Sequence, residues 1–391
     1  MMTAENNVLK KISLPILLIS LPLTVMDVLL PIFTIQLGLT PVQITGLFSV
    51  FSLFLAAVRL VTGHISDKAG RRPVFILGIS FYLLSYFIYS KAVDIPLIYM
   101  ARSLQAIAAV FINISTYSMI ADMNNKNNAH IFGKLSSYSE KGGLLGIALC
   151  FALLYNTSFV VGWGHLFLAC TMAAAAALIY SLLNIKETKA TNDENKNIQT
   201  KFLFSSEKIK ISIFNLIVRI FSSTVFSVFT LYLQKRFDSD LLFVALAFIV
   251  PTIFIAFSPP YVGTISDNIG TKKATTISLA IMFISMLLIT YSKNIYLYSI
   301  IWTIYYVALT MLDITLSSIF IEGISEEKRG TAIGQLSTAA NIGNIIGPLV
   351  GGLAFQNIGL KAPYLISSLG FAVLFLFSIL NIHPYPDIFS K

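Results

Sequence analysis

Twelve runs of mostly apolar residues follow one another along this 391-residue chain, at approximately 12–36, 43–62, 74–92, 95–121, 131–155, 163–185, 211–233, 241–262, 274–292, 296–321, 332–356 and 364–382. Each is close to the roughly 20 residues a helix needs to cross the hydrocarbon core of a bilayer. Composition agrees. Apolar types make up 56% and charged types 12% of the chain, against about 45–50% and about 25% in soluble domains. Soluble, disordered and collagen-like readings are therefore excluded. The first run is not expected to be a cleavable signal, because it is too long, carries Asp27 and is followed by no small-residue cleavage site. Cys150 and Cys170 lie in apolar runs, and His64, His130, His165 and His383 sit singly at loops or span ends. No disulfide framework, metal site or cofactor is expected.

The chemistry changes between the sixth and seventh runs. Residues 186–210 are rich in Lys, Asn, Thr and acidic side chains and too polar to insert. The sequence thus predicts an N-terminal six-helix bundle over 1–185, a linker loop over 186–210 and a C-terminal six-helix bundle over 211–391. Orientation follows from the loop cations. With the N-terminus inside, Lys68, Arg71, Arg72, Lys272, Lys273, Lys328 and the linker lysines are cytoplasmic, and only Lys91, Lys235, Arg236, Lys293 and Lys361 are outside. Both termini are expected in the cytoplasm, in a multi-pass protein of the plasma membrane. The net charge of +9 belongs to the inner membrane face rather than to a nucleic-acid site.

The halves repeat. Gly63, Ile65, Ser66, Asp67 and Gly70 recur as Gly263, Ile265, Ser266, Asp267 and Gly270. Gly133, Leu135, Ser136, Gly142 and Gly146 recur one register step later as Gly334, Leu336, Ser337, Gly343 and Gly347. Both sets fall at matching places in each half, the loop after the second run and the fifth run. Duplication predicts two bundles related by a pseudo-twofold along the membrane normal, with a central site.

The pattern G-x-x-x-D-x-x-G-R-R at Gly63–Arg72, in the short loop between spans 2 and 3, resembles the signature loop of the major facilitator superfamily. The resemblance covers the whole chain, including a degenerate second copy at Gly263–Lys273. It implies an all-α integral membrane fold of twelve transmembrane helices in two pseudo-symmetric six-helix bundles. It also implies that Gly63, Asp67, Gly70, Arg71, Arg72 and Asp267 belong to a conformational latch. Gly63 and Gly70 would allow a close helix approach and a tight turn, and Asp67 would cap a helix end and pair with Arg71 or a neighbouring helix. Arg102-Ser-Leu-Gln105-Ala106 in span 4 looks like the family's R-x-x-Q-G motif of proton-coupled members, with Ala106 in place of Gly. Span 11 carries Gly343, Gly347, Pro348, Gly351 and Gly352 at the spacing that the family's antiporters carry in span 5. Pro348 is expected to kink that span, and its small residues to admit a close neighbour. Pro31 is expected to loosen span 1 one turn beyond Asp27.

An ionisable side chain within a span costs about 2.5–3.5 kcal/mol at the bilayer centre and is a functional candidate. The candidates are Asp27, Arg102, Glu140, Arg219 and Asp313. Asp27, Arg102, Arg219 and Asp313 lie on spans 1, 4, 7 and 10, which line the central cavity in the resembling family. By helical rise, Asp27 and Arg102 lie roughly 8 and 10 Å below the outer face, while Arg219, Asp313 and Glu140 lie about 12–13 Å above the inner one. An outer pair, Asp27 with Arg102, and an inner cluster, Arg219 with Asp313 or Glu140, are expected. Arg59 and Lys141 are expected to snorkel or pair between helices.

The resulting expectation is secondary transport of a small organic solute by alternating access, as proton-coupled efflux. The alternative is a proton symporter or facilitator importing a sugar or other metabolite. No H-E-x-x-H, no G-x-S-x-G with histidine partners and no G-x-x-x-x-G-K-[ST] occurs, so neither an enzyme nor an ATP-driven pump is expected. The partners expected are the substrate, protons and the bilayer, with no nucleic acid, and a monomer suffices for this design.

Overall fold

A computed structural model of the chain describes the backbone at 2–122, 128–154, 157–188, 206–237, 261–322 and 326–380, with a few isolated positions between. The side chains of 2–9, 60, 64, 67, 121, 128–134, 136 and 326–331 lie outside the described residues. So do most of the eighth expected span and most of the linker. The described chain is helical: α1 (Met2–Ile19), α2 (Leu23–Gln36), α3 (Pro41–Ala69), α4 (Arg71–Lys91), α5 (Ile95–Ala121), α6 (Asn128–Leu154), α7 (Phe159–Asn184), α8 (Ser206–Phe237), α9 (Thr271–Ile289), α10 (Ile295–Ile321), α11 (Glu326–Asn357) and α12 (Ala362–Ile379). Residues 261–269 are also helical. Among the described residues, ten segments are long and apolar enough to cross a membrane. Helices suit that setting because hydrocarbon offers no partner to an unbonded backbone group.

One expectation is corrected. Span 1 is not a single helix over 12–36 but α1 and α2, separated by a turn at residues 20–22. Pro22 has no N–H to continue α1, and its ring disfavours helical geometry at Leu21. The break is satisfied locally. Ser20 N–H still donates to Ile16 O (3.1 Å), Met26 N–H donates to Pro22 O (2.8 Å), and the Tyr86 hydroxyl donates to Ile19 O.

The chain divides into two compact units, 1–39 with 50–197, and 40–49 with 198–391. Each pairs its helices in the same way. In the first unit the α1–α2 segment packs on α6, and α4 packs on α5 and α7. In the second, α8 packs on α11, and α9 packs on α10 and α12. The local caps repeat as well. Gly70 and Gly270 turn the chain into α4 and α9 with φ of 100° and 84°, where a side chain would be strained. Asp94 and Asn294 cap α5 and α10 by accepting from Leu97 N–H (3.1 Å) and Leu297 N–H (2.8 Å).

Each unit has an aromatic core. Phe33 stacks on Trp163 at 4.1 Å between centroids, and Trp163 Nε1 donates to Tyr89 O (3.0 Å). In the second unit Tyr298 and Tyr364 share a hydroxyl–hydroxyl bond of 2.8 Å beside Tyr232 and Trp302. Buried Trp163, Tyr298 and Tyr364 are tolerated here because their polar tips find partners.

Candidate functional site

The glycines set how close the helices approach. An alanine Cβ at Gly142 would meet Leu17 O, and one at Gly146 would meet Leu21 O, both on the broken first span. The second unit does the same: a Cβ at Gly343 would come within 2.6 Å of Leu216 O, and one at Gly347 or Gly351 would meet Ile220 O or Thr224 O. Backbone thus lies against backbone in both units, and in the second Thr224 Oγ1 ties α8 to α11 by donating to Gly347 O (3.0 Å). Gly352 turns to another neighbour, where a Cβ would meet Thr45 Oγ1. Pro348 lies inside α11, whose helix runs unbroken to Asn357. Pro31 likewise lies inside α2, where it leaves the Asp27 carbonyl without its helical donor.

Against α6, the break at 20–22 opens a cavity of about 380 Å³ inside the first unit. Its polar wall is Ser20, Asn113, Thr116 and Ser139, and its aromatic wall is Phe51, Tyr82 and Tyr117. Ser20 and Ser139 bond across it at 3.0 Å. Thr116 Oγ1 is buried and has no hydrogen-bond partner among the described residues. Sequence reasoning did not select Asn113, Thr116 or Ser139 for this wall. A neutral hydroxyl or amide on an apolar helix gives no signal until a helix break places a cavity beside it.

Arg102 stands next to this cavity. It is 4% exposed. Its Nη1 donates to Gln105 Oε1 (2.9 Å), as the i, i+3 spacing allows, and its guanidinium lies 4.3 Å from the centroid of Phe51. Asp27, half-buried on α2, lies within the electrostatic field of that guanidinium, as does Tyr82. Phe51 and Tyr82 therefore belong both to the cavity wall and to the surroundings of the charge. Glu140 and Lys141 are exposed on α6, with the Lys141 ammonium 5.2 Å from the Tyr138 ring centroid.

In the second unit Arg219 Nη2 lies 2.6 Å from Asp313 Oδ1, joining α8 to α10. Of the two acids considered for Arg219, Asp313 makes this pair. Tyr305, fully buried, lies within the field of both.

The loop between α3 and α4 carries a denser network than the sequence revealed. Arg71 Nε pairs with Asp122 Oδ2 at 3.2 Å, and its Nη1 donates to Ser66 Oγ (3.2 Å). Glu187 accepts from the backbone N–H of Arg71 (2.9 Å) and of Arg72 (3.1 Å), while Arg72 Nη2 donates to Leu182 O (2.9 Å). A carboxylate at a helix N-terminus satisfies orphan donors and meets the positive end of the helix dipole. Gly70 leaves room for it, since a Cβ there would contact Glu187 Oε2. Asp67 lies on α3 with its side chain outside the described residues, and Asp267 is exposed. Among the described residues, a Cβ added at Gly63 would meet nothing within 4 Å. Glu187 was missed because it stands in a polar loop, where an acid has no distinguishing neighbour in sequence.

Among the described residues no group of three His, Cys, Asp or Glu side chains forms a metal site. Curated relatives include the Multidrug resistance protein MdtG of Klebsiella pneumoniae, 22% identical over 357 residues and covering 87% of this chain and 84% of that one. Multidrug resistance protein 1 of Bacillus subtilis is 23% identical over 384 residues, covering 93% and 95%. Among solved structures, a bacterial homolog of the human lysosomal transporter Spinster, inward-facing and occupied, superposes with a TM-score of 0.81 at 16% identity over 97% of each chain. The Major Facilitator Superfamily model matches residues 13–213 and 211–389. With two helical units paired alike and a family model that matches one half and then the other, the chain belongs to the Major Facilitator Superfamily.

Proposed function

We propose that the chain exports small organic solutes in exchange for protons. As a member of its superfamily it is a multi-pass membrane transporter of small-molecule substrates and not an enzyme. The finer reading rests on one observation: the cavity of the first unit shares Phe51 and Tyr82 with the surroundings of the Arg102 charge, with Asp27 in its field. Protonating Asp27 removes a negative charge near Arg102 and so alters the electrostatics of a wall that a solute touches. A proton moving down 100 mV supplies about 2.3 kcal/mol, enough to bias such a cycle. The aromatic and hydroxyl lining suits a planar or amphipathic organic molecule. The multidrug resistance names of the relatives agree with this direction.

The same reading assigns 1–185 and 211–391 as the two moving bundles, with 186–210 as the connector. Gly63, Asp67, Gly70, Arg71, Arg72 and Asp267 act as the latch, to which Asp122 and Glu187 are added. Arg219 and Asp313 form a second charge site, with Glu140 a further carboxylate of the pathway. Pro31, Gly343, Gly347, Pro348, Gly351 and Gly352 shape the helices that move. The protein works as a monomer in the plasma membrane with both termini cytoplasmic.

The test is proton flux in proteoliposomes under an imposed pH gradient, as cationic drugs, sugars and carboxylates are added. The expected result is a compound whose entry drives protons out of the lumen, with Asp27→Asn silent. Solute movement with no proton movement, or with protons travelling alongside, would overturn the exporter reading.

A further inference from the structure

An apolar groove of the second unit has no place in a transport cycle built on the charges above. It lies between α8 and α12 and encloses about 690 Å³. Its walls include Ile213, Phe221, Leu369, Val373 and Phe377, and among the described residues Lys210 is the charged side chain that lines it. Four of these apolar side chains are well exposed: Ile213 at 52%, Leu369 at 68%, Val373 at 56% and Phe377 at 38%. An exposed apolar row on a membrane span faces hydrocarbon.

The groove has two distinct ends. From Lys210 to Phe221 along α8 is eleven residues, or about 16 Å of helix. One leaflet of hydrocarbon is about 15 Å, half of the roughly 30 Å core. The far end is closed: Ser367 Oγ donates to Phe221 O (2.9 Å), and the Phe221 and Phe371 rings meet edge to face at 6.0 Å. Gly370 leaves the floor open enough for the Phe221 ring, which a Cβ there would strike. The other end opens at Lys210, which is exposed and whose ammonium has no hydrogen bond or ion pair among the described residues. Its neighbour Lys208 is different. Its ammonium is held by the carbonyls of Ile319 (3.3 Å), Phe320 and Glu322 at the end of α10.

We infer that this groove is a binding site for one acyl chain of an anionic phospholipid, whose headgroup pairs with Lys210. The apolar walls accept the chain, the length matches the leaflet in which α8 begins, and the exposed ammonium at the mouth selects the charge. The site lies wholly within the second unit and rests on no assumption about substrate or coupling.

The full chain, purified in mild detergent, is mixed with phosphatidylglycerol and phosphatidylcholine of the same acyl chains, and retained lipid is measured by native mass spectrometry. Phosphatidylglycerol should be retained about five-fold over phosphatidylcholine, the ratio equivalent to about 1 kcal/mol for one cation near an anionic headgroup. Lys210→Gln should bring that ratio to parity, and Lys210→Arg should keep it. Ile213→Trp, at an exposed position, fills the groove without disturbing the core and should lose retained lipid of either kind. The proposal fails if Lys210→Gln keeps the wild-type ratio, or if Ile213→Trp retains as much lipid as wild type. It also fails if a cationic amphiphile is retained in preference to both lipids.

Discussion

Arg219 and Asp313 meet at 2.6 Å across α8 and α10, their side chains 26% and 32% exposed. A lone charge at mid-bilayer costs about 2.5–3.5 kcal/mol, and partial exposure makes that an upper bound for this pair. Removing one partner leaves the other uncompensated. We expect Asp313→Ala and Arg219→Ala each to lower the thermal unfolding midpoint of the purified protein. The double variant should recover most of the loss. If the double variant is as unstable as the sum of the single ones, the two residues are not coupled.

The glycines make a sharper contrast. Gly146→Ala and Gly347→Ala place a Cβ on the carbonyls of Leu21 and Ile220, so the helices must separate, at about 1–3 kcal/mol for overpacking. Gly63→Ala and Gly334→Ala meet nothing within 4 Å among the described residues and should gain about 0.5–1 kcal/mol, because alanine is favoured over glycine inside a helix. Melting curves of the four variants should therefore split two and two. Equal effects at all four positions would show that helix propensity, and not close approach, sets their cost.

Much of the architecture was legible in the chain because bilayer physics leaves few choices. Apolar runs of about 20 residues must be helices, and a repeat of loop and span motifs from one half to the next must give two units with matching pairs. The charged candidates were legible for the same reason, since an Asp or Arg within such a run stands out. The break at 20–22 was hidden inside a continuous apolar stretch, where Pro22 reads as a tolerated proline. Its consequence, a cavity beside Thr116 and Ser139, depends on which helix packs there, and that follows from Gly142 and Gly146 only once the partner is known. Glu187 was hidden differently: its role comes from a contact with Arg71, 116 residues away in sequence, and local sequence carries no trace of it.

Glu187 caps α4 through two backbone N–H groups. Loss of a side-chain cap costs about 1 kcal/mol, equivalent to about a five-fold change in an opening equilibrium. We expect Glu187→Ala to speed hydrogen exchange at the Arg71 and Arg72 amides by about that factor. Glu187→Gln, which keeps an acceptor and loses the charge, should fall between. Exchange that is unchanged in Glu187→Ala would mean that solvent satisfies these donors as well as the carboxylate does.

Thr116 separates stability from binding. Its Oγ1 is buried in the cavity wall with no hydrogen-bond partner among the described residues. Such a group is costly, by about 1–3 kcal/mol, unless something bonds it. Thr116→Val keeps the shape and removes the hydroxyl. In the absence of substrate the variant should be as stable as wild type or more so. If the hydroxyl serves a solute, the same variant should bind that solute about two- to ten-fold more weakly, the span equivalent to a net hydrogen bond of about 0.5–1.5 kcal/mol. Unfolding midpoints measured with and without a transported compound read both quantities in one experiment. A variant that gains stability and keeps full stabilisation by the compound would remove Thr116 from the binding wall. A variant that loses stability without the compound would mean that the hydroxyl already has a partner, such as a buried water.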